Sequence, residues 1–183
     1  MIPYSIRTAR PADVSALENL LQRSVRGLSE GYYTQRQIES ALRYVFGVDT
    51  QLIADGTYFV AELAAEEGRI VGCGGWSKRR TLFGGDQMKS GADDLLDPAT
   101  ESARIRAFFI DPDFARRGVG RELIGACERA AREAGFRRFE LGATLPGEPM
   151  YAKVGYTAIK RIDHLMPDGE ILPIVHMQKQ IEE

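Results

Sequence analysis

Apolar and polar positions change their period several times along the chain, and each change marks an element. Residues 4–8 alternate as a first strand. Pro11 and Asp13 then suit a helix start, and Val14, Leu17, Leu20 and Leu21 give that helix one apolar face. After the loop SEGYYT, Ile38, Ala41, Leu42 and Val45 recur at helical spacing, which predicts a second helix from Gln35 to Phe46 that ends near Gly47. TYFVAEL at 57–63 and RIVGCGGW at 69–76 are apolar, β-rich runs joined by the short polar link AAEEG, the pattern of an antiparallel hairpin. The polar, Gly- and Asp-containing stretch 77–102 reads as a long loop, and ARIRAFFIDP after it as a strand closed by Pro112.

Val119, Leu123, Cys127, Ala130 and Ala134 fall three and four residues apart, and Glu128/Arg132 and Arg129/Glu133 form i,i+4 pairs opposite them. A helix over 118–134 follows, stopped by Gly135. Arg138 to Ala143 is the next strand, a short helix runs from Glu148 to Lys153, and strands at Tyr156 to Ile162 and Ile174 to Gln180 flank a turn at 167–169. The order βααβββαβαββ is an α/β arrangement: a mixed sheet with helices on its faces. The strands from Ala103 and Arg138 are joined by a helical crossover and should be parallel.

A chain of 183 residues, with 44% hydrophobic and 27% charged positions, has the makings of one core and one domain over 1–183. The net charge of -2 argues against nucleic acid as a partner. No apolar stretch approaches membrane-spanning length and the first residues do not read as a signal peptide, so the expectation is a cytoplasmic protein with no membrane partner. Cys73 and Cys127 stand far apart, outside any CxxC, and His164 and His176 have no metal-ligand spacing. No disulfide framework and no metal site are expected, and both histidines read as structural.

FIDPDFARRGVGREL carries the most chemistry, because a strand end, a turn, two arginines and two glycines lead at once into an amphipathic helix. The first N–H groups of a helix lack internal partners and the macrodipole adds partial positive charge there. Gly118 and Gly120 leave that backbone open to a diphosphate, and Arg116, Arg117 and Arg121 add full charges. An ordinary tight turn with solvated arginines is the competing reading. No GK[ST] follows, so this is not a P-loop, and Leu123 occupies the place of the third glycine in a dinucleotide fingerprint.

The segment resembles the acyl-CoA-binding signature of the GNAT superfamily of N-acetyltransferases, Q/R-x-x-G-x-G/A, with Ala115 departing from its first letter. PMYAKVGY at 149–156 resembles the family's aromatic-Tyr-x-x-x-Gly-aromatic segment, with Met150 in the first aromatic place, and Thr144 stands where many members carry Asn. The resemblance spans the chain in element order. It implies a mostly antiparallel sheet in which the one parallel pair splays, and acetyl-CoA as co-substrate.

It further implies cofactor contacts from the main chain of Phe108, Phe109 and Ile110, from Arg116, Arg117, Gly118, Val119, Gly120 and Arg121, and from Thr144 and Tyr151. The Phe108 N–H would polarise the thioester carbonyl. Tyr151, a phenol with an ordinary pKa of about 10, would protonate the departing thiolate. Packing is the competing role for both rings.

Arg104 and Arg106 share one face of a central strand, which a simple buried core does not explain. They either pair with Asp93, Asp94, Asp97 and Glu101 of the long loop or bind an acceptor carboxylate, the first reading standing slightly ahead. Tyr32, Tyr33 and Trp76 are candidate aromatic walls of the acceptor pocket. Glu30, Glu62, Glu101, Glu140 and a water chain are the candidates for general base. The expected activity is direct N-acetylation of a primary amine, of a small molecule before a protein tail, without an acyl-enzyme; a non-catalytic acyl-CoA-binding module is the alternative. Homodimerisation is left open.

Overall fold

The structure, a computed structural model, describes residues 4–66, 68–91 and 93–181. Strand β1 (Tyr4–Thr8) leads into helices α1 (Val14–Leu28), α2 (Gln35–Tyr44) and α3 (Thr50–Ala54). Strands β2 (Tyr58–Leu63), β3 (Ile70–Ser77) and β4 (Ala103–Ile110) follow, then α4 (Val119–Glu133), β5 (Arg138–Thr144), α5 (Glu148–Lys153), β6 (Thr157–Leu165) and β7 (Ile171–Gln180). Helix α3 is an addition to the expected order. Its five residues are too few to show a period, and it forms because the Asp49 carboxylate accepts from the N–H groups of Gln51 and Leu52 while Leu52 is buried.

The seven strands lie in the order β1-β2-β3-β4-β5-β7-β6, and only β4 and β5 run parallel. That pair is joined at two positions, Ala103 opposite Phe139 and Arg104 opposite Glu140, after which the strands part. The expected splay is therefore present. Helix α4 covers one face, with Leu123, Ile124, Cys127 and Ala131 packed among Ile105, Phe139, Leu141 and Val71. Helices α1 to α3 cover the other through Leu17, Leu20, Leu21, Val25, Ile38, Ala41 and Leu52. Among the described residues no helix is long and apolar enough to cross a membrane.

The β6–β7 hairpin is three residues longer on each strand at the turn end than the apolar pattern suggests, because Pro173 breaks that pattern. The proline is tolerated since β5 ends at Thr144, opposite Ile174, and leaves β7 a free edge beyond it. Tyr33 uses that edge. Its hydroxyl donates to the Pro173 carbonyl at 2.7 Å and accepts from the Leu145 N–H at 2.9 Å, tying the α1–α2 loop to the end of β5.

Strand β4 carries one residue more than its partner β3: Arg106 to Phe109 faces Gly75 to Cys73. Ala107 absorbs the extra residue as a bulge with φ of +57°, a conformation that costs an L-residue roughly 1–2 kcal/mol. Ahead of the bulge Ile105 faces α4 and Arg106 faces away. Beyond it Phe108 and Ile110 face α4, while Ala107 and Phe109 join the α1 side.

Candidate active site

The turn from β4 to α4 is built by short-range backbone rules. Asp111 is buried, caps the following turn by accepting from Asp113 N–H at 3.0 Å, and pairs with Arg23 at 2.7 Å. Arg116 (φ +60°) and Gly118 (φ +93°) are left-handed two residues apart, a geometry that turns successive N–H groups toward a common point. Gly118 is the N-cap and offers no side chain to the first amides of α4. A Cβ on Gly120 would lie 2.5 Å from Met150 Sδ, so the glycine lets α5 come up against the start of α4. Arg116, Arg117 and Arg121 are exposed and have no carboxylate partner among the described residues; Arg117 lies over the Phe114 ring. The first amides of α4 and three exposed arginines without a carboxylate partner among the described residues therefore lie within one short segment, 116–121.

The parted strands hold the second part of the site. Phe108, lodged against Gly74, meets Tyr151 of α5 edge-on with ring centroids 6.1 Å apart, and Tyr151 meets Tyr156 at 5.9 Å. Burial pushes the Tyr151 phenol well above its ordinary pKa, so the proton stays on it through neutral pH. Its hydroxyl has no hydrogen-bond partner among the described residues. Thr144 caps the approach to α5, accepting from Gly147 N–H at 3.2 Å. Ile110 departs from expectation: its N–H already donates to the Ser24 hydroxyl of α1 at 3.0 Å.

The two arginines of β4 do not pair with the acidic loop residues Asp93, Asp94, Asp97 and Glu101. Arg104 meets Glu140 of β5 at 2.6 Å, and Arg106, 1% exposed, lies 3.0 Å from Asp49, 0% exposed. The Arg106–Asp49 contact is a pairing of charges without hydrogen-bond alignment, and Arg106 Nε is left without a partner. Burial lowers the Arg106 pKa and the Asp49 charge works against that. Both arginines nonetheless hold the long loop. Arg106 donates to the Gly84 carbonyl, Arg104 to that of Arg80, and Asp49 also pairs with Lys89. Asp49 carried no signal in the sequence beyond its place as an N-cap, Asp-Thr, of a helix too short to see.

Trp76 is not an open wall, because it is buried against Phe136 on the α4 side. Tyr33 is buried as a bracing residue, whereas Tyr32 is half exposed. Of the candidate bases, Glu62 is held by Arg7, Glu101 by Arg80 and Glu140 by Arg104 and His176. Burial pushes the Cys73 thiol up to about 12 and raises that of Cys127, which keeps both unreactive.

The overall fold is shared with known structures. A GCN5-related N-acetyltransferase of Rhodopseudomonas palustris superposes with a TM-score of 0.68 at 22% identity, over 99% of this chain and 98% of that one. PaiA N-acetyltransferase of Thermoplasma acidophilum, solved with coenzyme A, gives 0.66 at 13% identity over 98% and 99%. YncA of Salmonella typhimurium, solved with its cofactor acetyl-CoA, gives 0.63 at 18% identity over 99% and 95%. No curated protein matches the sequence. Residues 17–156 match the acetyltransferase (GNAT) family, and the chain belongs to that family.

Proposed function

We propose that the protein acetylates a primary amine of a small molecule with acetyl-CoA as co-substrate, by direct attack in a ternary complex. The observation that carries this reading is the opening between β4 and β5 beside an uncapped, glycine-opened α4 N-terminus with three unpaired arginines. These residues fit coenzyme A: the turn 116–121 would hold its diphosphate, and the free edges of the parted strands its amides. Two related folds were solved with coenzyme A and with acetyl-CoA, which supports the choice of cofactor.

When bound, acetyl-CoA supplies an activated acetyl thioester. The Phe108 N–H, at the bulge, would orient the carbonyl oxygen and stabilise charge on it. Tyr151 holds a proton at its hydroxyl for the departing sulfur, and its buried ring beside Phe108 and Tyr156 keeps water from that place. Inert Cys73 and Cys127 fit direct transfer. The anchored loop over the face opposite α4 favours a small acceptor over a protein tail.

Two measurements test this. Thiol release from acetyl-CoA over a panel of primary amines should show turnover with at least one, whereas a binding module would bind CoA and stay silent with all. Arg121→Glu replaces an exposed cation in the first turn of α4 with a carboxylate and should weaken CoA binding about tenfold or more by calorimetry; unchanged affinity in a folded variant would refute the assignment.

A further inference from the structure

A small-molecule amine is an ammonium at neutral pH and must lose a proton before it attacks. Tyr151, already protonated, cannot take it. Where β4 and β5 part, the last paired residue of β5 is Glu140, and His176 of β7 reaches it with Nε2 2.9 Å from Oε2. Both side chains are partly open, at 16% for His176 and 24% for Glu140. His176 lies on the face opposite α4, the face that also carries Arg104 and Arg106 and is roofed by the long loop. There Phe83 of that loop lies 3.2 Å from where a Gly142 Cβ would be and packs edge-on against His164 at 5.3 Å. The dyad therefore lies on the loop-covered face, beside the place where the strands part.

We propose that His176 is the proton acceptor for the incoming ammonium and that Glu140 is the residue that positions it, an inference that rests on the acetyl-transfer reading above. Glu140 cannot serve as the base itself. Burial works to raise its carboxyl, but the hydrogen bond from His176 and the charge of Arg104 outweigh burial and hold it below the ordinary carboxylate range. A carboxylate of that kind keeps its charge and fixes the imidazole with Nε2–H toward it, which leaves the lone pair on Nδ1. Nδ1 makes no hydrogen bond among the described residues.

The ammonium gives one proton to Nδ1, from which it passes to solvent while Nε2–H stays on Glu140. The freed lone pair forms the C–N bond as the thioester C–S bond breaks. The second nitrogen-bound proton then replaces the one Tyr151 gives to sulfur. The charged groups facing His176 are Glu140 from β5, Arg104 from β4, Lys160, its partner on β6, and, behind Arg104, the Arg80–Glu101 pair of the loop.

The chain has two histidines, so His164→Gln assigns the imidazole NMR signals without ambiguity. The His176 ring nitrogen shifts should report the Nε2–H tautomer, and in Glu140→Ala that preference should weaken; an unmoved tautomer ratio would overturn the dyad. In steady-state assays with acetyl-CoA and phenethylamine or n-alkylamines, His176→Gln should lower kcat/KM about a hundredfold near pH 7 and remove the acid limb of the profile. The acetyl-CoA KM and thermal midpoint should hold. Methoxyamine, unprotonated at neutral pH, should lose far less, and added imidazole should restore part of the rate. An unchanged pH profile in His176→Gln with transfer intact refutes His176 alone, whereas a wild-type protein that binds CoA but acetylates none of these amines refutes the acetyl-transfer reading and this role with it.

Discussion

The segment that leaves β4 and the segment that enters it do comparable work by different means. The exit, residues 111–118, is short and is shaped by its own backbone: a proline turn, a capping aspartate and two left-handed residues deliver the chain to α4. The entrance, residues 78–102, is long, and its hold comes from distant side chains: Arg106 and Asp49 behind Gly84 and Lys89, Asp55 behind Arg79, and Arg104 behind Arg80. A backbone-made site can be read over a few residues of sequence. One held by ion pairs depends on partners that only the fold brings together.

The entrance is the more fragile of the two, and Arg106→Met should show it most. The substitution leaves Asp49 buried with Lys89 as its one remaining cation among the described residues, so we expect a loss of about 3 kcal/mol in denaturant unfolding. Calorimetry should find CoA affinity unchanged, because the exit turn lies across the sheet. A fall in CoA affinity matching the loss of stability would end the separation between the two segments.

On the exit side, Tyr151→Phe removes one hydroxyl from a packed ring. The turnover number should fall about a hundredfold, equivalent to about 2.7 kcal/mol, with the thermal midpoint within a few degrees. The loss should shrink with an acyl donor whose thiol is more acidic. Near wild-type turnover, with chemistry rate-limiting, would return Tyr151 to packing.

Gly118→Ala should cost about 1–2 kcal/mol, because φ of +93° disfavours any L-residue although no atom stands within 4 Å of the added methyl. A neutral result would mean the turn is less rigid than its dihedrals suggest. The smallest effect concerns the loop's hold on Asp55, whose carboxyl lies below the ordinary 3.8 chiefly through the hydrogen bond from Arg79. A lowered carboxyl stabilises fully above its unfolded pKa and loses that contribution as pH falls through the folded value. Pepsin cleavage within 78–102 should therefore accelerate as pH drops below about 4. In Asp55→Asn the cleavage should already be fast at higher pH and lose that dependence.

Most of the sheet was legible because its strands are apolar runs bounded by Gly and Pro, and α1, α2 and α4 because their apolar residues keep a helical period. The turn 116–121 into α4 was legible for the same reason, since glycine and arginine types at fixed spacing carry it. Three features were not. Helix α3 is one turn and a half, Pro173 disguises the start of β7, and the partners of Arg104 and Arg106 come from Glu140 and Asp49. The period-two argument placed both arginines on one face and required partners for them, but charge alone could not choose among 26 acidic residues.

The bulge at Ala107 also fixes how β4 may be laid down during folding. Because the strand is out of phase with itself on either side of that residue, sliding β4 by one position against β3 would expose two separate faults. Arg106 would enter the apolar layer beneath α4, and the Phe108 ring would leave the hollow that Gly74 makes for it. Neither fault could be relieved without the other remaining, so a strained alanine serves as a keyed joint that admits one alignment of the two central strands.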